Sequence, residues 1–342
     1  MAVVIDWLQV NATGRMSDSV ISQLELQPYS TRVFKSVYIL RAFTEDIATI
    51  ACNPLSPVIP SDTHLIKFHN KLLYSTDLEQ RVEYILNFLG LTFKGLSRLD
   101  LAHDFNKFAN NLLPQNLINR FLLKKWLHVG KQSFKVFGKG GVNQSFETLR
   151  FGKNDSELSV YLYNKSIELQ EVKDKPWIRA FWEINGVNQS YDVWRLEISM
   201  KGNRLHYVDE LTGNIERLSL SNIFDQLFLH QLYFSLVDKY FKFVRPETNR
   251  NISRMKQVNL FDECYNKFDF IKLNDKKESD RSIKIFIKKL EEFNSIVRKI
   301  KKDNQSENAT FGAGLVVLQS AIELYDKQRF YEKKIKGKYD KD

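Results

Sequence analysis

The sequence is poor in cysteine and contains no long apolar run. Its two cysteines, Cys52 and Cys264, are far apart and form no CxxC pair, so the pattern excludes a zinc knuckle and a disulfide framework. No apolar segment approaches the roughly 20 residues needed to span a bilayer, and the first residues lack the basic start of a signal peptide. We therefore expect a cytoplasmic protein that has no membrane partner.

Internal repeats and low-complexity tracts are also missing, whereas apolar residues are plentiful. The 342 residues are 43% hydrophobic, which is enough for a folded protein of one large or two packed units. The net charge of +10 comes from 51 Lys and Arg against 41 Asp and Glu. This diffuse positive charge favours a polyanionic partner, but lysine-rich proteins without such a partner are equally common.

Residue periodicity divides the chain into a strand-rich part and a helical part. Alternating β-branched and aromatic residues predict strands at 3–10, 32–43, 64–74, 96–105, 134–137, 147–151, 158–165 and 192–201. Apolar stripes at helical spacing predict helices at 77–89, 114–128, 176–184, 221–243, 252–268, 282–302 and 309–336. We expect an α+β protein in which a sheet carries helices on one face. Residues 1–205 would form the sheet-based domain, 221–336 an all-helical region and 337–342 a frayed tail.

Three of the predicted strands carry polar residues that recur at every second position. Because side chains alternate between the two faces of a strand, each such set shares one face. The three sets are Arg98, Asp100 and Asp104; Tyr161, Tyr163 and Lys165; and Arg195 and Glu197. If these strands are neighbours, acids, bases and tyrosines converge on one surface.

This combination suits the cleavage of a phosphodiester by transesterification. Carboxylates such as Asp100, Asp104 and Glu197 can hold Mg²⁺ or Mn²⁺, and a tyrosine hydroxyl can attack phosphorus to form a covalent ester. A cation would have to favour the phenolate, and Lys165 is two residues beyond Tyr163 on the same face.

Arg98 and Arg195 could steady the phosphate through bidentate contacts. Each strand taken alone is also consistent with a solvated sheet face that carries cross-strand ion pairs. The two tyrosines could equally be packing residues.

Four segments in order resemble the replication initiation factor family, the trans-acting Rep proteins of rolling-circle plasmids and phages, with related conjugative relaxases. They are Ile5-Asp-Trp7-Leu, Arg98-Leu-Asp-Leu-Ala-His-Asp104, Thr148-Leu-Arg-Phe-Gly152 leading into Tyr163-Asn-Lys165, and Trp194-Arg-Leu-Glu-Ile198. The resemblance covers about residues 3–205. It implies a fold related to the HUH endonucleases, with a central antiparallel sheet.

The resemblance also implies site-specific, metal-dependent nicking at a hairpin DNA origin through a 5′-phosphotyrosine. Tyr163 would be the nucleophile, with Tyr161 as the alternative, because the family often has Arg at the Tyr161 position. Asp100 and Glu197 would be the first ligands of Mg²⁺ or Mn²⁺, and Asp104 a weaker one. A host helicase and a second copy of the chain are further expected partners.

Three other functions stay open from the sequence alone. A conjugative relaxase would use the same chemistry, a DNA-binding regulator would keep the fold without cleavage, and a scaffold protein would leave the shared polar faces unexplained. The predicted helix at 282–302 carries a basic cluster near its end, formed by Arg298, Lys299, Lys301 and Lys302. We expect these four residues to grip DNA, although a solvated helix face has the same composition.

Overall fold

The computed structural model describes residues 2–130, 133–140, 145–153, 156–172, 174–209, 212–248, 251–261 and 271–273. These residues belong to one compact unit, Met1–Asn274. The strands are β1 Val3–Gly14, β2 Glu25–Leu26, β3 Phe34–Ala42, β4 Glu45–Pro54, β5 Thr63–Phe68, β6 Leu91–Phe105, β7 Leu127–Val129, β8 Phe134–Lys139, β9 Ser145–Phe151, β10 Leu158–Asn164, β11 Trp194–Lys201, β12 His206–Val208, β13 Ile215–Arg217, β14 Lys242–Val244 and β15 Lys272–Leu273.

Short helices connect and cover these strands. They are α1 Asp18–Ile21, α2 Asn70–Leu73, α3 Leu78–Phe88, α4 Pro114–Leu122, α5 Lys165–Glu171, α6 Pro176–Ile184, α7 Leu220–Phe224 and α8 Gln226–Tyr240. Local chemistry sets several of their ends. Pro114 occupies the first turn of α4, where its missing N–H costs nothing, and the Asp225 carboxylate accepts hydrogen bonds from the first N–H groups of α8.

One large antiparallel sheet organises the described residues. Its ten strands follow the order β2-β3-β4-β5-β1-β6-β11-β10-β9-β8, and every neighbouring pair is antiparallel. The register brings the three polar strands together, since Tyr163 lies opposite Arg195 and Tyr161 opposite Glu197. Ser199 in turn lies opposite Asp100.

The main core lies on the apolar face of this sheet. Leu99, Leu101 and His103 of β6 are buried there, and α3 adds residues at spacings of three and four. The Tyr233 hydroxyl of α8 donates to the carbonyl of Leu196 on β11, at 2.9 Å. The longest helices therefore cover one face, as the sequence predicted.

A smaller core closes one end of the opposite, polar face. Leu169 of α5 packs with Ile178 and Trp182 of α6 and with Val193. The Trp182 indole N–H donates to Asp104 Oδ2 at 2.7 Å. These two helices form a wall beside the polar residues and leave the rest of that face open.

The α+β class and the central antiparallel sheet are confirmed. The longest strand that the sequence analysis missed is β4, whose core-facing positions include Ala48 and Cys52, residue types that give little strand signal. The strand predicted at 64–74 ends at Phe68, because His69 is the N-cap residue of helix α2. The helix predicted at 114–128 ends at Leu122, and residues 127–129 form β7.

The predictions for the last third of the chain have mixed outcomes. The helix predicted at 221–243 is two helices, because Asp225 has extended φ and ψ angles between them. The helix predicted at 252–268 is wrong over 255–261, where only the 3-10 turn Ile252–Arg254 precedes a non-helical segment. The predictions at 282–302 and 309–336, and the four basic residues from Arg298 to Lys302, lie outside the described residues. No helix in the described part of the chain is long and apolar enough to cross a bilayer.

Candidate active site

A cavity of about 700 Å³ opens on the polar face where β5, β1, β6, β11 and β10 lie side by side. Six of the residues predicted from the sequence line it, namely Arg98, Asp100, Tyr161, Tyr163, Lys165 and Glu197. The alternation of side chains along the strands therefore identified a real shared surface. The roles assigned to these residues stay predictions.

Tyr163 has two polar neighbours at its hydroxyl group. The hydroxyl donates to Glu197 Oε2 at 2.9 Å, and the Tyr163 hydroxyl oxygen accepts a hydrogen bond from Lys165 Nζ at 3.3 Å. Burial, followed by the charge of Glu197, raises the pKa of the Tyr163 phenol well above its usual value. The sequence-based expectation that Lys165 favours the phenolate is therefore not met in this state, and a base is needed to take the proton.

Glu197 is the carboxylate placed to be that base. Burial, together with the nearby charges of Asp6 and Asp100, raises its pKa from 4.5 to about 8. Two like charges beside a buried carboxylate disfavour its ionised form. Glu197, which accepts the hydrogen bond from Tyr163, therefore has a pKa near neutral pH.

Lys165 is the first residue of α5, and its side chain is 1% exposed. Its ammonium group donates to Glu168 Oε2 at 2.5 Å. Burial and the charge of Arg195 lower its pKa, although Asp6 and Glu168 oppose this. A buried ammonium held against the tyrosine oxygen can offset negative charge that develops there.

Arg98 and Asp100 form a two-point pair on β6. Arg98 Nε donates to Asp100 Oδ1 at 2.9 Å and Nη2 donates to Oδ2 at 2.5 Å. Burial raises the pKa of Asp100, and Arg98 opposes that rise. The guanidinium group is partly exposed, with 26% of its side-chain surface accessible, so it can still meet a phosphate.

Arg195 lies beneath the cavity and does not line it. It donates from Nε and Nη2 to Asp104, each at 2.6 Å. It also donates from Nη1 to Asp6 at 2.6 Å and from Nη2 to the Tyr74 hydroxyl at 2.8 Å. Because the side chain is completely buried, the predicted phosphate contact of Arg195 is wrong in this geometry. It clamps two acids under the site instead.

Asp104 is likewise not available as the metal ligand that the sequence analysis predicted. Both of its oxygens bond to Arg195, and Trp182 donates to one of them as well. The Asp104 side chain has no exposed surface. Its role in the structure is to anchor Arg195 and α6.

Asp6 is the acid that the sequence analysis missed. Burial opposes its ionisation, but the charges of Arg195 and Lys165 and hydrogen bonds from Tyr74 and Asn70 outweigh burial and lower its pKa. The register of β1 against β6 shifts between Ile5 and Trp7, so Asp6 sits at a β-bulge, and both Asp6 and Trp7 line the cavity.

A signal for this bulge is present in the sequence. Core residues fall on odd positions at Val3 and Ile5 and on even positions at Leu8 and Val10. This change of parity requires an extra residue between them.

The chemistry of the cavity can be tested for a divalent ion. Asp6, Asp100 and Glu197 all line it, and carboxylate oxygens are the ligands that Mg²⁺ and Mn²⁺ prefer. The repulsion that raises the Glu197 pKa is of the kind that a bound cation relieves. Within the described ranges, however, no three His, Cys, Asp or Glu side chains are already gathered at metal-binding distances. The donor types fit a hard ion.

Comparisons with known proteins identify the family of the chain. A family model described as replication initiation factor matches residues 94–306, more than half of the chain, and confirms the resemblance drawn from the four motifs. Among solved structures, the chain is similar to a rolling circle replication initiator protein from Geobacillus stearothermophilus, with 14% identity and a TM-score of 0.46, covering 75% of this chain and 92% of that one. No curated protein matches the chain.

Proposed function

We propose, from the premise that this chain belongs to the replication initiation factor family, that it starts rolling-circle replication by nicking one DNA strand at an origin. As a replication initiator it has DNA as its partner. The observation that supports the nicking chemistry is the hydrogen bond from the Tyr163 hydroxyl to Glu197, at 2.9 Å, beside the Lys165 ammonium group. A nucleophile, a base and a cation thus meet in one cavity.

In the proposed step, the Tyr163 oxygen bonds to phosphorus while its proton passes to Glu197 Oε2. The bond from phosphorus to the 3′ oxygen breaks, and that oxygen takes up a proton from solvent water to become the 3′ hydroxyl that primes synthesis. The phosphate stays on Tyr163 as a 5′-phosphotyrosine, so the bond energy is kept for rejoining. In the metal-free site the pKa of Glu197 is about 8, and a bound cation would lower that value, so that Glu197 is ionised and able to accept the proton near neutral pH.

Mg²⁺ or Mn²⁺ is the cofactor that we propose for this step. Asp100 and Glu197, with Asp6 in place of Asp104, are the residues that would hold it. When bound, the ion would supply positive charge to the phosphoryl oxygens. Arg98 lines the same cavity, where its guanidinium group can contact a DNA phosphate.

Covalent attachment tests the nucleophile. We expect wild-type protein, incubated with labelled single-stranded oligonucleotides or supercoiled plasmid and Mn²⁺, to form an adduct that survives a denaturing gel. Tyr163→Phe should form none, because it removes only the attacking oxygen. Tyr161→Phe is the matched control, since it makes the same change two residues away on the same face. Adducts from Tyr163→Phe but not from Tyr161→Phe would show that the nucleophile is misassigned.

Metal dependence is tested with the same gel. We expect EDTA, Asp100→Ala or Glu197→Ala to remove nicking, because a hard ion held by few carboxylates tolerates their loss poorly. Nicking that continues unchanged in EDTA would refute the metal role. Complete absence of adducts from wild-type protein would favour a DNA-binding regulator, and adducts that promote transfer between cells rather than replication would favour a relaxase.

A further inference from the structure

A second group of cations lines the cavity, and it combines Trp7 and Arg98, which belong to the sequence motifs, with Lys67, which no motif includes. Lys67 Nζ lies 3.9 Å from the centroid of the Trp7 ring, and the Arg98 guanidinium carbon lies 4.1 Å from the same centroid. All three residues line the cavity. Contacts between a cation and an indole ring of this kind fix the position of the cation. The ring of Trp7 therefore holds two positive groups at one end of the site.

The charge balance of this group is uneven. Arg98 is neutralised by Asp100, whereas no carboxylate in the described part of the chain pairs with Lys67. Two cations with a single paired carboxylate give this group a net positive charge at the cavity wall. An anion is the ligand that such a wall attracts.

The sheet register gives the distance of this group from the proposed nucleophile. Tyr163 reaches Glu197 on β11, while Arg98 reaches Asp100, which lies opposite Ser199 on the same strand. Glu197 and Ser199 are two residues apart on one face, which corresponds to about 7 Å along a strand. The Arg98–Asp100 pair thus lies one step of this repeat from the Tyr163–Glu197 pair, a spacing that suits a phosphate next to the one that Tyr163 attacks.

We propose that Lys67 and Arg98, held against Trp7, bind a backbone phosphate of single-stranded DNA next to the scissile one. This inference rests on the proposed nicking function for its substrate. The group would fix the register of the strand so that the scissile phosphate lies at Tyr163. Phosphate contacts position a nucleic acid without reading its sequence, so Lys67 would act on strand placement and not on choice of origin.

Salt-dependent binding tests this subsite. Binding of a fluorescent oligo-dT strand is measured by anisotropy over a range of salt concentrations, in the Tyr163→Phe background so that no covalent adduct forms. Lys67→Met should weaken binding roughly tenfold at low salt and reduce the slope of log affinity against log salt by about 0.7, the value for one phosphate contact on a single strand. Lys67→Arg should restore the slope.

The matched control is Lys35→Met, which removes the same charge from an exposed lysine of β3 outside the cavity. An unchanged slope in Lys67→Met, or an equal change in Lys35→Met, would overturn the subsite. If Trp7→Leu weakens binding while Lys67→Met does not, the ring stacks on a base and the phosphate assignment is wrong. The proposed function has a separate test, because failure of the wild-type protein to form covalent adducts would refute it. The binding measurement does not depend on adduct formation, so the two failures can be told apart.

Discussion

Replacing Arg195 by Met should destabilise the folded protein strongly, although the residue touches no ligand. The guanidinium group donates twice to Asp104, once to Asp6 and once to Tyr74, and none of its surface is exposed. Met fills a similar volume but leaves two acids without their cation. Removing one partner of a buried ion pair costs about 3–5 kcal/mol.

Urea unfolding at pH 7 measures this cost. With a slope of about 2–3 kcal/mol per molar for a chain of this size, the midpoint should fall by roughly 1–2 M. Arg41→Met is the matched control, because Arg41 also pairs with two acids, Glu25 and Asp46, but at the exposed surface. Its midpoint should move little, since exposed ion pairs contribute little to stability.

Two results would refute this reasoning. The first is an equal loss of stability in Arg195→Met and Arg41→Met. The second concerns pH. The lowered pKa of Asp6 stabilises the fold above the usual titration range of an aspartate, and this contribution is lost as the pH falls below about 4. The difference between wild type and Arg195→Met should therefore shrink in acid, and a constant difference would contradict the clamp.

Two further perturbations follow from the site and its borders. The pKa of Glu197 rises from 4.5 to about 8 on folding, so this residue stabilises the fold fully below about pH 4.5, and its contribution is lost as the pH rises towards 8. In EDTA, the urea midpoint of the wild-type protein should therefore decline between pH 5 and 8, and Glu197→Gln should flatten that decline. An unchanged profile in the variant would contradict the raised pKa. Gly152 has a φ of +98°, and an added Cβ would lie 3.0 Å from the Leu158 carbonyl oxygen, so Gly152→Ala should cost more than about 1 kcal/mol of unfolding free energy. Gly186→Ala is the control, because Gly186 has a φ of +68° with open space around it. An equal loss of unfolding free energy in both variants would show that the positive φ accounts for the cost and that the contact with Leu158 adds nothing.

Periodicity in the sequence was enough to place six of the residues that line the cavity on shared strand faces. Strand alternation put Arg98 with Asp100 and Tyr163 with Lys165, because successive side chains in any strand point to opposite faces. The same rule put His103 on the apolar face of β6, where it is buried against Phe105. These are local consequences of backbone geometry, so they need no knowledge of neighbouring strands.

What the sequence by itself determined is therefore the α+β class, the replication initiation factor family and the shared faces of three strands. Only the tertiary structure decided which polar residues reach the cavity and which lie beneath it. Arg195 and Asp104 have the same residue types and alternation as Arg98 and Asp100, but α6 covers them and Asp6 joins them from β1. Burial and ion pairing depend on elements distant in the chain, and a strand pattern carries no information about what packs on top of it.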